Sequence, residues 1–159
     1  MPPCPCCGGK LNYRDARPRI RKHEGGTADY IYIHRYRCKN CGRYHNALPD
    51  CLLPYKHYES DVICGVVDGT ITSADMESED YPSEATMLRW KYWLAFNMAA
   101  IECILRSVFY RLWHHDESVL YTADSLLDEL REQADNWLSA VIRIIYNTGH
   151  RLQSTGFQS

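Results

Sequence analysis

Two stretches decide how this chain folds: Cys4-Pro5-Cys6-Cys7-Gly8 and Cys38-Lys39-Asn40-Cys41-Gly42. Each is a Cys-x-x-Cys-Gly knuckle, in which a tight turn sets two thiolates on one edge of a tetrahedron. The following glycine supplies the backbone freedom the turn needs. Two knuckles give four ligands, Cys4, Cys7, Cys38 and Cys41, and so predict one structural Zn2+ with a closed shell and no open position for catalysis. Redox-active dithiols are the competing reading. Cys6 is a bystander, His45 is a weaker candidate ligand, and Cys51, Cys64 and Cys103 read as small buried hydrophobes.

Between the knuckles, Tyr30 to Arg37 is aromatic and β-branched with partial alternation, which predicts a strand. Gly25-Gly26 marks a turn and Arg17 to His23 the partner strand, giving a zinc ribbon over residues 1–47. Residues 48–56 hold two prolines and read as an extended linker. Beyond it the pattern becomes helical, so the expected class is α+β: a small ribbon followed by an all-helical module over 57–150.

In that module Ser60 caps a short helix ending near Gly69. Ser83 opens a long helix to Trp113, with an apolar stripe of Met87, Trp90, Leu94, Met98, Ile101, Leu105, Val108 and Leu112. A second flank (Trp93, Phe96, Ala100, Ile104) suggests two packing partners and a possible homodimer. Ser125-x-x-Asp128 starts the last helix, which runs to a stop at Gly149. Residues 151–159 are expected to fray.

The 159 residues carry a net charge of −2, unevenly placed. Residues 1–60 have 11 Lys/Arg against 5 Asp/Glu, and residues 61–159 have 7 against 15. The basic end interleaves Arg17, Arg19, Arg21, Lys22, Arg35, Arg37, Lys39 and Arg43 with tyrosines, a composition suited to phosphate contact and base stacking. Segment 60–94 has the outline of a helix-turn-helix, with Arg89 and Lys91 as base-reading candidates. Its seven acids over 61–84 oppose phosphate. No secretory signal is seen, and Tyr92 to Ile101, the longest nearly charge-free apolar stretch, is about half a membrane span, so a soluble cytoplasmic protein is expected. No Gly-rich phosphate loop, nucleophile elbow or His-Glu-x-x-His helix points to an enzyme.

The run Arg35-Tyr36-Arg37-Cys38-Lys39-Asn40-Cys41-Gly42-Arg43-Tyr44-His45, with Leu48-Pro49-Asp50, Leu53-Pro54-Tyr55-Lys56 and Pro82-Ser83-x-x-Thr86-x-x-x-Trp90, resembles an uncharacterised bacterial family of small zinc-ribbon proteins over about residues 4–94. The ribbon-plus-helix layout is also similar to the N-terminal DNA-binding region of some transposases. That resemblance implies a double-stranded DNA partner and a mobile genetic element. The alternative is an adaptor whose acidic helical half docks a transposase or recombinase without touching DNA.

Overall fold

A computed structural model describes residues 3–75, 82–112, 117–121 and 123–155. Strands β1 (Leu11–Lys22), β2 (Ala28–Cys38) and β3 (Tyr44–Ala47) form one antiparallel sheet in the order β1-β2-β3. Helices follow: α1 (Ser60–Asp68), α2 (Glu84–Leu112), α3 (Ser118–Tyr121), α4 (Leu126–Gln133) and α5 (Trp137–Asn147). The α+β architecture and the long helix agree with the sequence. The strand opposite β2 is longer than Arg17 to His23, and β3 is an addition that the sequence alone does not signal.

The core lies in the helical half. Trp90, Ile101 and Leu105 of α2 pack with Ile63 and Val66 of α1 and with Trp137, Leu138 and Val141 of α5. Ser83 caps α2 as expected, its Oγ accepting the Thr86 N–H at 3.3 Å. Glu59 rather than Ser60 is the cap position of α1. Ser60 starts the helix, and its hydroxyl donates to the Asp50 carbonyl.

Two helical expectations are revised. The stripe on α2 buries Asn97 at 2% exposure and leaves Met98 at 41%, because Asn97 has polar partners on the C-terminal segment. The single last helix is two. Ala134 adopts extended backbone at φ −145° between α4 and α5. The adjoining Asp135-Asn136 pair favours local turns over helix.

Residues 48–56 are a fastening more than a spacer. Leu52 and Leu53 are buried. The Lys22 N–H donates to the His57 carbonyl, and the Glu59 N–H to the Lys22 carbonyl. From α5, Ser139 Oγ donates to the Asp50 carbonyl at 2.7 Å, and Arg143 pairs with the Asp50 carboxylate at 2.6 Å. The ribbon is thereby docked on the helices.

α1 and α2 pack together, but residues 69–83 join them. A helix-turn-helix uses three or four residues there. The segment is a packing unit in this geometry, with Arg89 and Lys91 exposed on α2. The acids Glu77, Glu79 and Asp80 lie outside the described residues, as do Trp113, most of the His114 to Glu117 loop, and residues 156–159. α2 is long and apolar enough to cross a membrane by length and composition, a wider window than Tyr92 to Ile101 suggests. It is also the helix around which the others pack.

Candidate metal centre and basic ribbon face

The two knuckles fold alike. The Gly8 N–H donates to the Cys4 carbonyl and the Gly42 N–H to the Cys38 carbonyl. Both glycines take positive φ, 70° and 72°. The turns bring the Sγ atoms of Cys4, Cys7, Cys38 and Cys41 within 4.8 Å of one another. The Cys4–Cys41 and Cys7–Cys38 separations are 3.7 and 3.5 Å. An ion bound by four thiolates at about 2.3 Å needs tetrahedral edges near 3.8 Å, so the set fits a tetrahedral, thiolate-preferring ion. All four sulfurs predicted from spacing are brought together.

Backbone amides prepare the site for thiolates. N–H groups of Cys41 and Asn40 turned toward the Cys38 sulfur outweigh its burial and bring its thiol down to about 6. At Cys7 the Gly9 amide favours the thiolate, yet the Cys38, Cys41 and Cys4 sulfurs together with burial push it up to about 12. The amides thus favour the thiolate at Cys38, while crowding by the neighbouring sulfurs favours the thiol at Cys7. An incoming divalent cation releases the remaining thiol protons.

His45, a candidate ligand by sequence, stands beside the four-sulfur cluster. It pairs with Tyr36 across β2 and β3, and its Nε2 stands 3.3 Å from Cys4 Sγ. Burial, then Arg43 and Arg151, lower its pKa and favour the neutral ring. A neutral imidazole at this position can donate N–H to a metal-bound thiolate, the outer-shell support common at such sites. Cys4, Cys6 and His45 also group within 4.8 Å, but Arg43 lies 3.4 Å from Cys6 Sγ.

Most of the arginines and tyrosines that interleave in sequence separate in space, Tyr44 excepted, which sits beneath Arg14 and Arg37. Register pairs Asp15 with Arg35, Arg17 with Ile33, Arg19 with Ile31 and Arg21 with Asp29. Strand period two then gives Tyr30, Tyr32 and His34 the other face. A bulge between Tyr13 and Asp15 moves Tyr13 to that same side, where it packs edge-on against Tyr36 at 5.9 Å. Tyr13, Tyr30 and Tyr32 are 56, 71 and 69% exposed.

Several expected phosphate contacts are engaged within the fold. Arg35 holds Asp15 through two hydrogen bonds, and Arg21 holds Asp29 in the same way. Arg19 is half-buried, and burial lowers its pKa. Its guanidinium donates to the Leu53 and Lys56 carbonyls. Lys22 lies over the Tyr58 ring, and Arg37 over Tyr44. Arg17, Arg37, Lys39 and Arg43 are exposed and have no carboxylate partner among the described residues.

A family model matches residues 4–90, ending on Trp90 of α2. The chain belongs to DUF6431, a domain of unknown function. The DUF6431 match takes in the whole ribbon, the fastening segment and α1, but only the first two turns of α2. No curated protein and no solved structure matches the chain.

Proposed function

We propose that this protein is a zinc-containing accessory or regulatory protein that binds double-stranded DNA through its ribbon, acting in a mobile genetic element. Zinc is the ion chosen for the four-cysteine centre because closed thiolate tetrahedra are its usual structural sites. One ion per chain holds the two knuckles and the strands between them, with no catalytic part.

The observation that carries the DNA reading is the ribbon surface. Arg17, Arg37, Lys39 and Arg43 stand exposed on the ribbon and its knuckle with no carboxylate partner among the described residues, so they can meet phosphates. The three exposed tyrosines lie on the opposite face of the sheet. The mobile-element setting rests on the ribbon-then-helix layout alone. About four phosphate contacts would give a slope of log K against log salt near −3.6. Fluorescence anisotropy with a labelled duplex tests this, and no binding at about 50 mM salt would reject it.

A second reading, an adaptor docking a transposase or recombinase, is favoured by α2. Leu88, Tyr92 and Phe96 recur every four residues and are 59, 55 and 52% exposed. That apolar stripe suits a protein partner or a second copy of the chain.

A further inference from the structure

The ribbon and α5 enclose a cleft of about 1440 Å³, larger than the ~300–1,000 Å³ of a small-molecule site. Arg17, Arg19, Arg35 and Arg43 line it from the ribbon, and Arg143 and Arg151 from the C-terminal side. Among the described residues Asp50 is the one carboxylate on its walls, and it is already paired with Arg143. Arg17, Arg43 and Arg151 have no carboxylate partner among the described residues. The lining is therefore strongly cationic although the helical half as a whole is acidic.

A second observation lies on the same wall. Tyr55, between Pro54 and Lys56, takes φ 62° and is 80% exposed. A bulky residue in left-handed backbone carries strain, and such strain persists where the surrounding structure fixes it. Here the fastening segment, held by Arg19 and Asp50, presents an aromatic ring at the mouth of a cationic cleft. Charge plus a projecting ring is the chemistry of a stacking platform beside a phosphate track.

We infer that this cleft binds a single strand of nucleic acid, with phosphates on Arg17, Arg43 and Arg151 and a base stacked on Tyr55. A cleft admits one flexible backbone, whereas a duplex offers a wide rod that meets an outer surface. The inference rests on the nucleic-acid reading and deepens it: the preferred ligand carries an unpaired strand. It also gives α5 and residue 151, beyond the family match, a share in the site.

The test uses the full chain and three labelled probes of one sequence, a blunt duplex, the same duplex with a ten-nucleotide tail, and the single strand. The tailed and single-stranded probes should bind about ten-fold more tightly than the blunt duplex. Arg151→Ala and Tyr55→Gly should each remove five-fold or more of that preference, while Tyr55→Phe retains it. Glycine accepts positive φ, so Tyr55→Gly removes the ring without adding strain. Thermal melting and metal content confirm that each variant is folded. Equal binding to all probes, or variants that leave the preference unchanged, would overturn the cleft assignment and leave duplex binding intact. No binding to any probe would overturn both readings.

Discussion

Asn97 and Gln153 exchange two hydrogen bonds across the helical module. Asn97 Nδ2 donates to the Gln153 carbonyl at 3.1 Å, and Oδ1 accepts the Gln153 N–H at 3.0 Å. Asn97 also donates to the Trp93 carbonyl, so its side chain is well satisfied at 2% exposure. The segment after α5 is thereby tied to the middle of α2 through Gln153, where the sequence suggests fraying. Asn97→Ala should cost about 1–3 kcal/mol, since buried backbone groups lose their partners. Truncation after Leu152 should cost a similar amount, and the two changes together less than their sum. Urea denaturation checks this, and simple additivity would deny the clamp.

Metal content gives the next expectation. Protein purified without chelator should carry one zinc per chain. Cys38→Ser should lose it and unfold the ribbon, because structural zinc contributes on the order of 10 kcal/mol to a domain with so small a core. Cys51→Ser should keep its zinc, since Cys51 lies outside the sulfur cluster and contacts Arg21. Elemental analysis and near-ultraviolet circular dichroism read both effects.

Duplex affinity should respond to the exposed cations more than to the engaged ones. Replacing Arg37 and Lys39, which lie outside the cleft, together by Ala should weaken all sequences alike and reduce the salt slope by about two. Replacing Arg19 should act chiefly on stability, because its guanidinium closes two carbonyls of the fastening segment. If Arg19→Ala shifts the slope and leaves the melting temperature unchanged, the division between these arginines is wrong.

Asp68 makes stability depend on pH. Burial resists its ionisation, but hydrogen bonds from Trp137 Nε1–H at 2.9 Å and from Arg131 outweigh that and hold its carboxyl below the ordinary 3.8. The stabilisation is fully present above the unfolded value and is lost as pH falls through the lower folded one. Asp68→Asn should cost about 1–3 kcal/mol at pH 7 and markedly less at pH 2. Thermal melts across that range follow the difference, and a constant gap would show that the carboxylate charge is irrelevant.

The exposed stripe of Leu88, Tyr92 and Phe96 predicts self-association. Light scattering at micromolar concentration should give twice the 18.5 kDa of one chain, and Phe96→Asp should return it to one. A single-chain mass for the unaltered protein rules the dimer out.

The four-cysteine cluster was legible because knuckle chemistry is local: two thiols and a glycine within five residues define each turn. Long amphipathic helices were legible for the same reason, through a stripe that repeats in sequence. What stayed hidden depends on pairing between distant segments. The choice of Asn97 over Met98 for burial turns on Gln153. The division of last-helix residues into α4 and α5 turns on Ala134, and it places Trp137 within reach of Asp68. Arginine and tyrosine look interleaved on paper, and only the register of β1 against β2, with its bulge at Tyr13, sends Arg17, Arg19 and Arg21 to one face and Tyr13, Tyr30 and Tyr32 to the other. The pairing of Arg21 and Arg35 with Asp29 and Asp15 is likewise a cross-strand fact.

Gly149 ends α5 in left-handed backbone at φ 84°, and a Cβ there would stand 3.0 Å from the Pro5 carbonyl. The cap of α5 thus abuts the first cysteine knuckle. That knuckle leaves the ribosome more than a hundred residues before Gly149 does. The ribbon can bring its four sulfurs together early, but it can seat against α5 only after α5 has been made. Any ligand lodged between ribbon and α5 would find its site assembled later than the ribbon itself.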